Sequence, residues 1–452
     1  MRPRRVQRRP VPPAAWRAKT SQRDVPANQS VFGRAFPLVL RVHSVIQVAM
    51  IKKAVLGALL VWVAGLTVLA DPAADPSRLA AANTGFAFDL LKQIAGGQPD
   101  ANVFISPFSV SSVLQMVANG AAGDTQAEMQ RVLKTTSLPP DALNPAARDL
   151  NQLLNSQTNV ILRLANAIWF QEGIQLKPGF VATDSRYFQA ELASVDFKKP
   201  ESAQTINDWA ANRTQGKIRN VVQWPFDPLT RVILANAIYF KGKWDRPFDK
   251  GATKPRAFHL SGGMEKPVPT MWQRGHFNYQ EGDDFQAVRL PYAGRRLQLY
   301  LFLPNTNSSP GKLLAGMDDS LWRDKIIPGF RDQEGSLALP RFKVDYDVVL
   351  NDPLRALGMR HAFEDADFSA MAGEPLFVSK VKQKSFVEVN EEGTEAAAVT
   401  TVTMKSMAIM KPIKPFEMIV DRPFFFVIGD NETQSILFMG VVNDPAGQGG
   451  GD

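Results

Sequence analysis

The sequence predicts one large α+β domain over residues 80–445. Three observations predict it. Helical spacing of apolar residues dominates the first part of this stretch, and strand-like runs fill the second. Two of those runs, 161–170 (ILRLANAIWF) and 232–240 (VILANAIYF), are near-copies, and their Asn-Ala-Ile-aromatic-Phe core recurs at Asn166 and Asn236. No shift of composition divides 80–445, and a 452-residue chain that is 45% hydrophobic can bury a large core.

The elements follow in order. Ser106-Pro107 opens a helix: the serine can cap it, and proline is tolerated in the first turn. Val110, Val113, Leu114 and Val117 then form an apolar face, and Gly120 and Gly123 end the pattern. The near-continuous apolarity of 161–170 and 232–240 implies strands buried on both faces of one sheet. An asparagine in each marks a turn, a capped strand end, or a buried amide that must find partners. Further strands are expected over 296–303, 336–342, 376–389, 424–429 and 436–442, with helices over 347–357 and 367–371. Pro412 and Pro415 mark an exposed connection, and the glycine-rich 446–452 reads as a flexible tail.

Residues 389–403 (VNEEGTEAAAVTTVT) stand apart. An acidic turn and one glycine lead into small and β-branched residues without a proline. In an extended chain alternate residues face opposite sides. Thr394, Ala396, Ala398, Thr400, Val402 and Met404 are all uncharged, while Glu395 and Lys405 share the other face. Such a segment can slide into a sheet with its even face on a core and its charges in water.

The net charge of +8 belongs to the first 70 residues, which hold 12 of the 52 Lys and Arg and one of the 44 Asp and Glu. The remainder carries 40 basic and 43 acidic groups, so nothing points to nucleic acid. Residues 1–49 are rich in arginine and proline, show no period, and are expected to be disordered. Residues 50–70 combine Lys52-Lys53, an apolar run and Val68-Leu69-Ala70, which read as a signal peptide with translation starting at Met50. The alternative is a long tail before an uncleaved anchor. Residues 71–79 read as a linker. The expected product is a secreted monomer, extracellular or periplasmic, without a stable membrane anchor.

Ordinary enzyme chemistry finds little support. The chain has no cysteine, hence no disulfide and no thiol nucleophile. His43, His259, His276 and His361 show no metal-ligand spacing, and G-x-S-x-G, H-E-x-x-H and P-loop motifs do not occur. No cofactor and no metal are expected.

Five stretches follow one another along the chain: 102–109 (NVFISPFS); 206–209 (INDW) with 214–218 (TQGKI); 236–240 with Lys241-Gly242-Lys243-Trp244 and Pro247-Phe248; 386–398 (FVEVNEEGTEAAA); and 421–424 (DRPF) with 438–440 (FMG). With these motifs the chain resembles the serpin family across about 370 residues. The first stretch resembles the start of serpin helix B, and the second the helix F region. The third is similar to the third strand of the main sheet. The fourth resembles the reactive-loop hinge, and the fifth the C-terminal signature.

The resemblance implies a main five-stranded sheet that accepts the reactive loop as an extra strand, two further sheets, and eight to nine helices. It implies a suicide inhibitor of serine proteases, not an enzyme. The alternative is a non-inhibitory serpin acting as a binding or chaperone protein. Glu391, Glu392, Gly393, Thr394, Glu395, Ala396, Ala397 and Ala398 would form the hinge, and an uncharged Thr394 would enter the sheet without burying a charge. Counting seventeen residues from Glu391 places the reactive bond at Met407-Ala408, with Lys405-Ser406 as the alternative. Methionine suits an elastase-, chymotrypsin- or subtilisin-like protease; lysine would suit a trypsin-like one. Ser106, Asn236, Gln383 and Trp244 match the positions that gate the sheet. Gln383 stands where serpins commonly carry histidine, so this gate is expected not to titrate near neutral pH.

Overall fold

The computed structural model describes residues 75–155, 160–189, 191–394 and 414–447. The first part of the chain is mainly helical. α1 (Pro76–Gly97) starts where the Asp75 carboxylate accepts from the amides of Ser77 and Arg78, with proline in the first turn. Residues 76–79 are therefore helical rather than linker. β1 (Val103–Ile105) leads into α2 (Pro107–Ala118), capped by the Ser106 hydroxyl and buried along its whole length. α3 (Gly123–Val132) and α4 (Pro140–Asn155) follow, then β2 (Val160–Gln171), α5 (Pro178–Phe188), β3 (Glu191–Val195), α6 (Glu201–Arg213) and β4 (Val232–Lys243).

Strands dominate the rest: β5 (Lys254–His259), β6 (Glu265–Glu281), β7 (Phe285–Pro291) and β8 (Leu297–Pro304). α7 (Pro310–Gly316) precedes β9 (Arg331–Pro340) and β10 (Phe342–Val349), and α8 (Asn351–Ala356) precedes β11 (Lys380–Asn390). Two-residue β12 (Gly393–Thr394), β13 (Phe416–Ile419), β14 (Phe424–Asp430) and β15 (Ile436–Val442) follow, and short helical turns lie at 250–252, 319–329 and 361–363.

The helix expected over 347–357 is shortened, because residues 347–349 finish β10, with Val348 opposite Gln383 of β11. Residues 367–371 form a turn, not a helix: Asp367 accepts from the Ser369 amide, and its backbone is tied to Ala122 and Thr125. Strands β5 to β7 carried no clear signal because Pro267, Pro269 and scattered charges interrupt their alternation.

The main sheet runs β10-β11-β4-β2-β3, and β12 is wedged between β11 and β4 at one end. A second network runs β1-β15-β14-β8-β7-β6-β9-β13, with β5 on β6. The 17-residue β6 takes part in three pairings and joins what would otherwise be two sheets. β4 is buried on both faces, as its composition implies. Its even residues Val232, Leu234, Ile238 and Phe240 join the large core between the two sheet systems. Its odd residues Ile233, Ala235 and Ala237, with Ala165 and Ala167 of β2, meet Ile206, Trp209 and Ala210 of α6. The small alanines let α6 lie close on this front face.

Candidate functional site

The expected hinge lies at the end of β11. The chain turns at Glu391 and Glu392 and comes back as β12, antiparallel to both neighbours. Gly393 pairs with Asn390 and Lys243; Thr394 pairs with Val389 and Gly242. Gly393 has φ +144°, and a Cβ there would stand 2.1 Å from the Gly242 carbonyl oxygen. No other residue can bring the backbone this close to β4.

Thr394 is 0% exposed and already lies inside the sheet. Its side chain points into the core, as its even position implied, and its Oγ1 lies 2.8 Å from the Tyr292 hydroxyl. Burial pushes the Tyr292 hydroxyl pKa far up, with the Thr394 hydrogen bond only partly offsetting it, so the phenol stays neutral. Gly242 leaves the space that this ring occupies: a Cβ there would lie 2.8 Å from Tyr292 Cδ1. Trp244 stacks on Tyr292 with ring centroids 4.6 Å apart and donates its Nε1–H to the Asn390 carbonyl at 2.9 Å.

Both glutamates of the turn are anchored. Glu391 is 2% exposed, and its carboxylate meets the Arg341 guanidinium at 2.7 Å and accepts from the Thr253 hydroxyl. Burial pushes its pKa up, but the Arg341 and Thr253 hydrogen bonds outweigh this and hold it below the ordinary glutamate value. Glu392 pairs with Lys250, and the backbone carbonyls of Glu391 and Glu392 accept from the amides of Phe248 and Trp244.

Below the wedge, β11 and β4 pair directly from Lys380–Ile233 to Phe386–Tyr239. One rung holds three amides, because the registers place Asn166 opposite Asn236 and Asn236 opposite Gln383. Gln383 Nε2 donates to Asn236 Oδ1 at 2.7 Å and to the Ser106 carbonyl at 3.1 Å, while its Oε1 accepts from the Ser106 amide at 3.0 Å. Asn236 Nδ2 donates to Asn166 Oδ1 and to the Ser109 hydroxyl. The recurring Asn-Ala-Ile core thus has a physical reason: the two asparagines complete each other across antiparallel strands. Ser106 takes part through its backbone, and its hydroxyl instead donates to the Leu437 carbonyl at 2.7 Å.

The structure brings Glu391, Glu392, Gly393, Thr394 and Trp244 together at the wedge, and Gln383, Asn236 and Ser106 at the rung below. Glu395, Ala396, Ala397, Ala398, Lys405, Ser406, Met407 and Ala408 lie outside the described residues. Sequence reasoning missed Tyr292, Arg341 and Thr253 at the wedge, and Ser109 and Asn166 at the rung. Only Asn166 carried a signal, through its repeat.

The family model described as Serpin (serine protease inhibitor) matches residues 81–445. The chain belongs to the serpin family. That is a family of protease inhibitors, not enzymes. This serpin is 39% identical over 368 residues to an uncharacterized serpin-like protein of Thermococcus kodakarensis, covering 80% of this chain and 84% of that one. It is 38% identical over 381 residues to the leukocyte elastase inhibitor of Bos taurus, covering 81% of this chain and all of that one. Its fold matches the native-state crystal structure of the thermophilic serpin tengpin with a TM-score of 0.75 at 28% identity, over 81% of this chain and 94% of that one. Among the described residues, no helix is long and apolar enough to cross a membrane.

Proposed function

We propose that this serpin is a secreted suicide inhibitor of serine proteases. The observation that carries the reading is β12: an uncharged hinge residue, Thr394, already holds a fully buried place between β11 and β4. The serine hydroxyl of a target protease attacks the carbonyl of the residue before the cut. The peptide bond breaks, the new amine leaves with the transferred proton, and an ester joins the serpin to the protease. The cleaved loop then zips downward from Thr394 as a new strand, carrying the ester-linked protease with it.

The register of β12 supports a definite set of neighbours for the inserted strand. Continued in step, Ala397 would take the place between Phe386 and Tyr239, and Thr400 the place between Gln383 and Asn236. Thr400 offers a hydroxyl where the Gln383–Asn236 hydrogen bond has to part, and Ala397 is small enough for the crowded front face. We take the reactive bond to be Met407-Ala408, with Lys405-Ser406 as the alternative. Similarity to leukocyte elastase inhibitor supports an elastase-like target over a trypsin-like one.

The test is incubation with elastase-, chymotrypsin-, subtilisin- and trypsin-like proteases. The expected result is an SDS-stable complex, a cut mapped by mass spectrometry at Met407, and a large rise in melting temperature after loop cleavage. Cleavage without complex and without that rise would identify a non-inhibitory binding or chaperone serpin instead. Secretion is tested separately: the exported protein should begin after Ala70.

A further inference from the structure

Phe386 occupies the front face of β11 at the last rung where β11 and β4 pair directly, opposite Tyr239. Three residues further on, Val389 faces Thr394 of β12 instead of β4. Phe386 therefore stands at the fork where the main sheet divides. Two cations face its ring: Lys343 Nζ lies 5.3 Å from the ring centroid and Lys217 Nζ 5.9 Å. Both distances fall within the ~6 Å reach of cation–π attraction.

The two lysines ride on opposite sides of the seam. Lys343 belongs to β10, which is hydrogen-bonded along its length to β11, the strand that carries Phe386. Lys217 lies in the segment after α6. Its neighbour Ile218 is buried with α6 against Ala165, Ala167, Ala235 and Ala237 of β2 and β4. The Lys217–Phe386 contact thus joins the front cover of β4 to β11 across the line along which a new strand has to enter.

We propose that Lys217 and the Phe386 ring form a clasp that sets how fast the fork advances. The proposal rests on the insertion reading above. When the Phe386–Tyr239 rung parts, β11 carries Phe386 and Lys343 away together. Lys217 stays with β4 and α6 and leaves the ring. Phe386 is a positioning residue in this account; it touches neither the protease nor the reactive bond. The asymmetry is the signature: of two lysines at similar distances from one ring, only Lys217 should affect the rate.

The experiment uses a fluorescent synthetic peptide copying residues 394–407 and measures its rate of incorporation into the intact serpin, with no protease present. Lys217→Met should accelerate uptake about three-fold, the size expected for one partly exposed cation–π contact. Phe386→Leu should accelerate it by a similar factor, and adding Lys217→Met to Phe386→Leu should then change nothing. Phe386→Trp, which keeps the ring, should be as slow as the parent, and Lys343→Met should stay within 1.5-fold of it (roughly the scatter expected for a surface change). Equal acceleration by Lys343→Met and Lys217→Met, or parent-like rates for both Lys217→Met and Phe386→Leu, overturns the clasp while leaving insertion intact. A parent protein that takes up no peptide overturns the insertion reading itself, and the clasp with it.

Discussion

Replacing Thr394 by arginine tests the hinge most directly. Thr394 is 0% exposed, and around it lie Tyr292, its hydrogen-bond partner, and Trp244, stacked on that ring. Among the described residues no carboxylate is hydrogen-bonded to Thr394, and both glutamates of the turn are already paired, Glu391 with Arg341 and Glu392 with Lys250. A guanidinium in that place would be buried without a counter-ion, at an effective cost of about 4 kcal/mol. Thr394→Arg should therefore expel β12 from the native sheet and also burden the first step of insertion. If half of the cost is felt in the transition state for insertion, the rate falls about 30-fold; if all of it is, about 1,000-fold.

In the proposed mechanism insertion competes with hydrolysis of the acyl-enzyme, so the variant should be cut and released as a substrate. The assay is the yield of SDS-stable complex and the number of serpin molecules consumed per protease inactivated. Thr394→Ser, which keeps the small size and the hydroxyl, should retain most of the complex. A Thr394→Arg protein that still forms complex in undiminished yield refutes the argument that burial of this side chain drives trapping.

Gly393→Ala should have a related but steric effect. Its Cβ would meet the Gly242 oxygen at 2.1 Å, so β12 should be displaced from the native sheet, read as a change in Trp244 fluorescence. Asp184 on α5 is fully buried, and among the described residues its carboxylate accepts one hydrogen bond, from Asn119 at 2.7 Å. Burial, only partly offset by that bond, pushes its pKa up to about 7. Between the ordinary carboxyl value and about 7 the folded protein holds a proton that the unfolded chain has lost, so stability falls as pH rises through that window. Asp184→Asn should flatten this slope, which from pH 5 to 7.5 amounts to about 2 kcal/mol, as read by thermal unfolding against pH. Gln383 has no titrating group to offer, so peptide uptake by the parent should not change through this site between pH 5 and 7.5. Gln383→His should introduce a dependence there, and equal pH profiles for both proteins would count against a gating role for the amide rung.

Some of this was legible in the chain and some was not. Ser106 as a helix cap, the two strands built on Asn166 and Asn236, and the inward parity of Thr394 are local patterns, and each reappears in the structure. The expected helix at 367–371 failed because Asp367 spends its hydrogen bonds on an Asx-type turn and on Thr125, far away in sequence. Tyr292 gave no sign, since nothing near it marks it as the partner of a residue 102 positions later. Arg341 and Thr253 were equally silent, because what makes them matter is a glutamate brought to them by the turn after β11.

Composition and periodicity alone were enough to mark out a segment whose even positions are all uncharged and whose two charges, Glu395 and Lys405, share the other face, since this is a property of consecutive positions. They were not enough to say that Gly393 and Thr394 already lie between two strands of the main sheet. That depends on the register of β11 against β4, on the close approach allowed by Gly393, and on a tyrosine hydroxyl waiting at the right depth. Registers are fixed by packing of whole elements against one another, so the two-residue wedge and the fork at Phe386 exist only in the assembled fold.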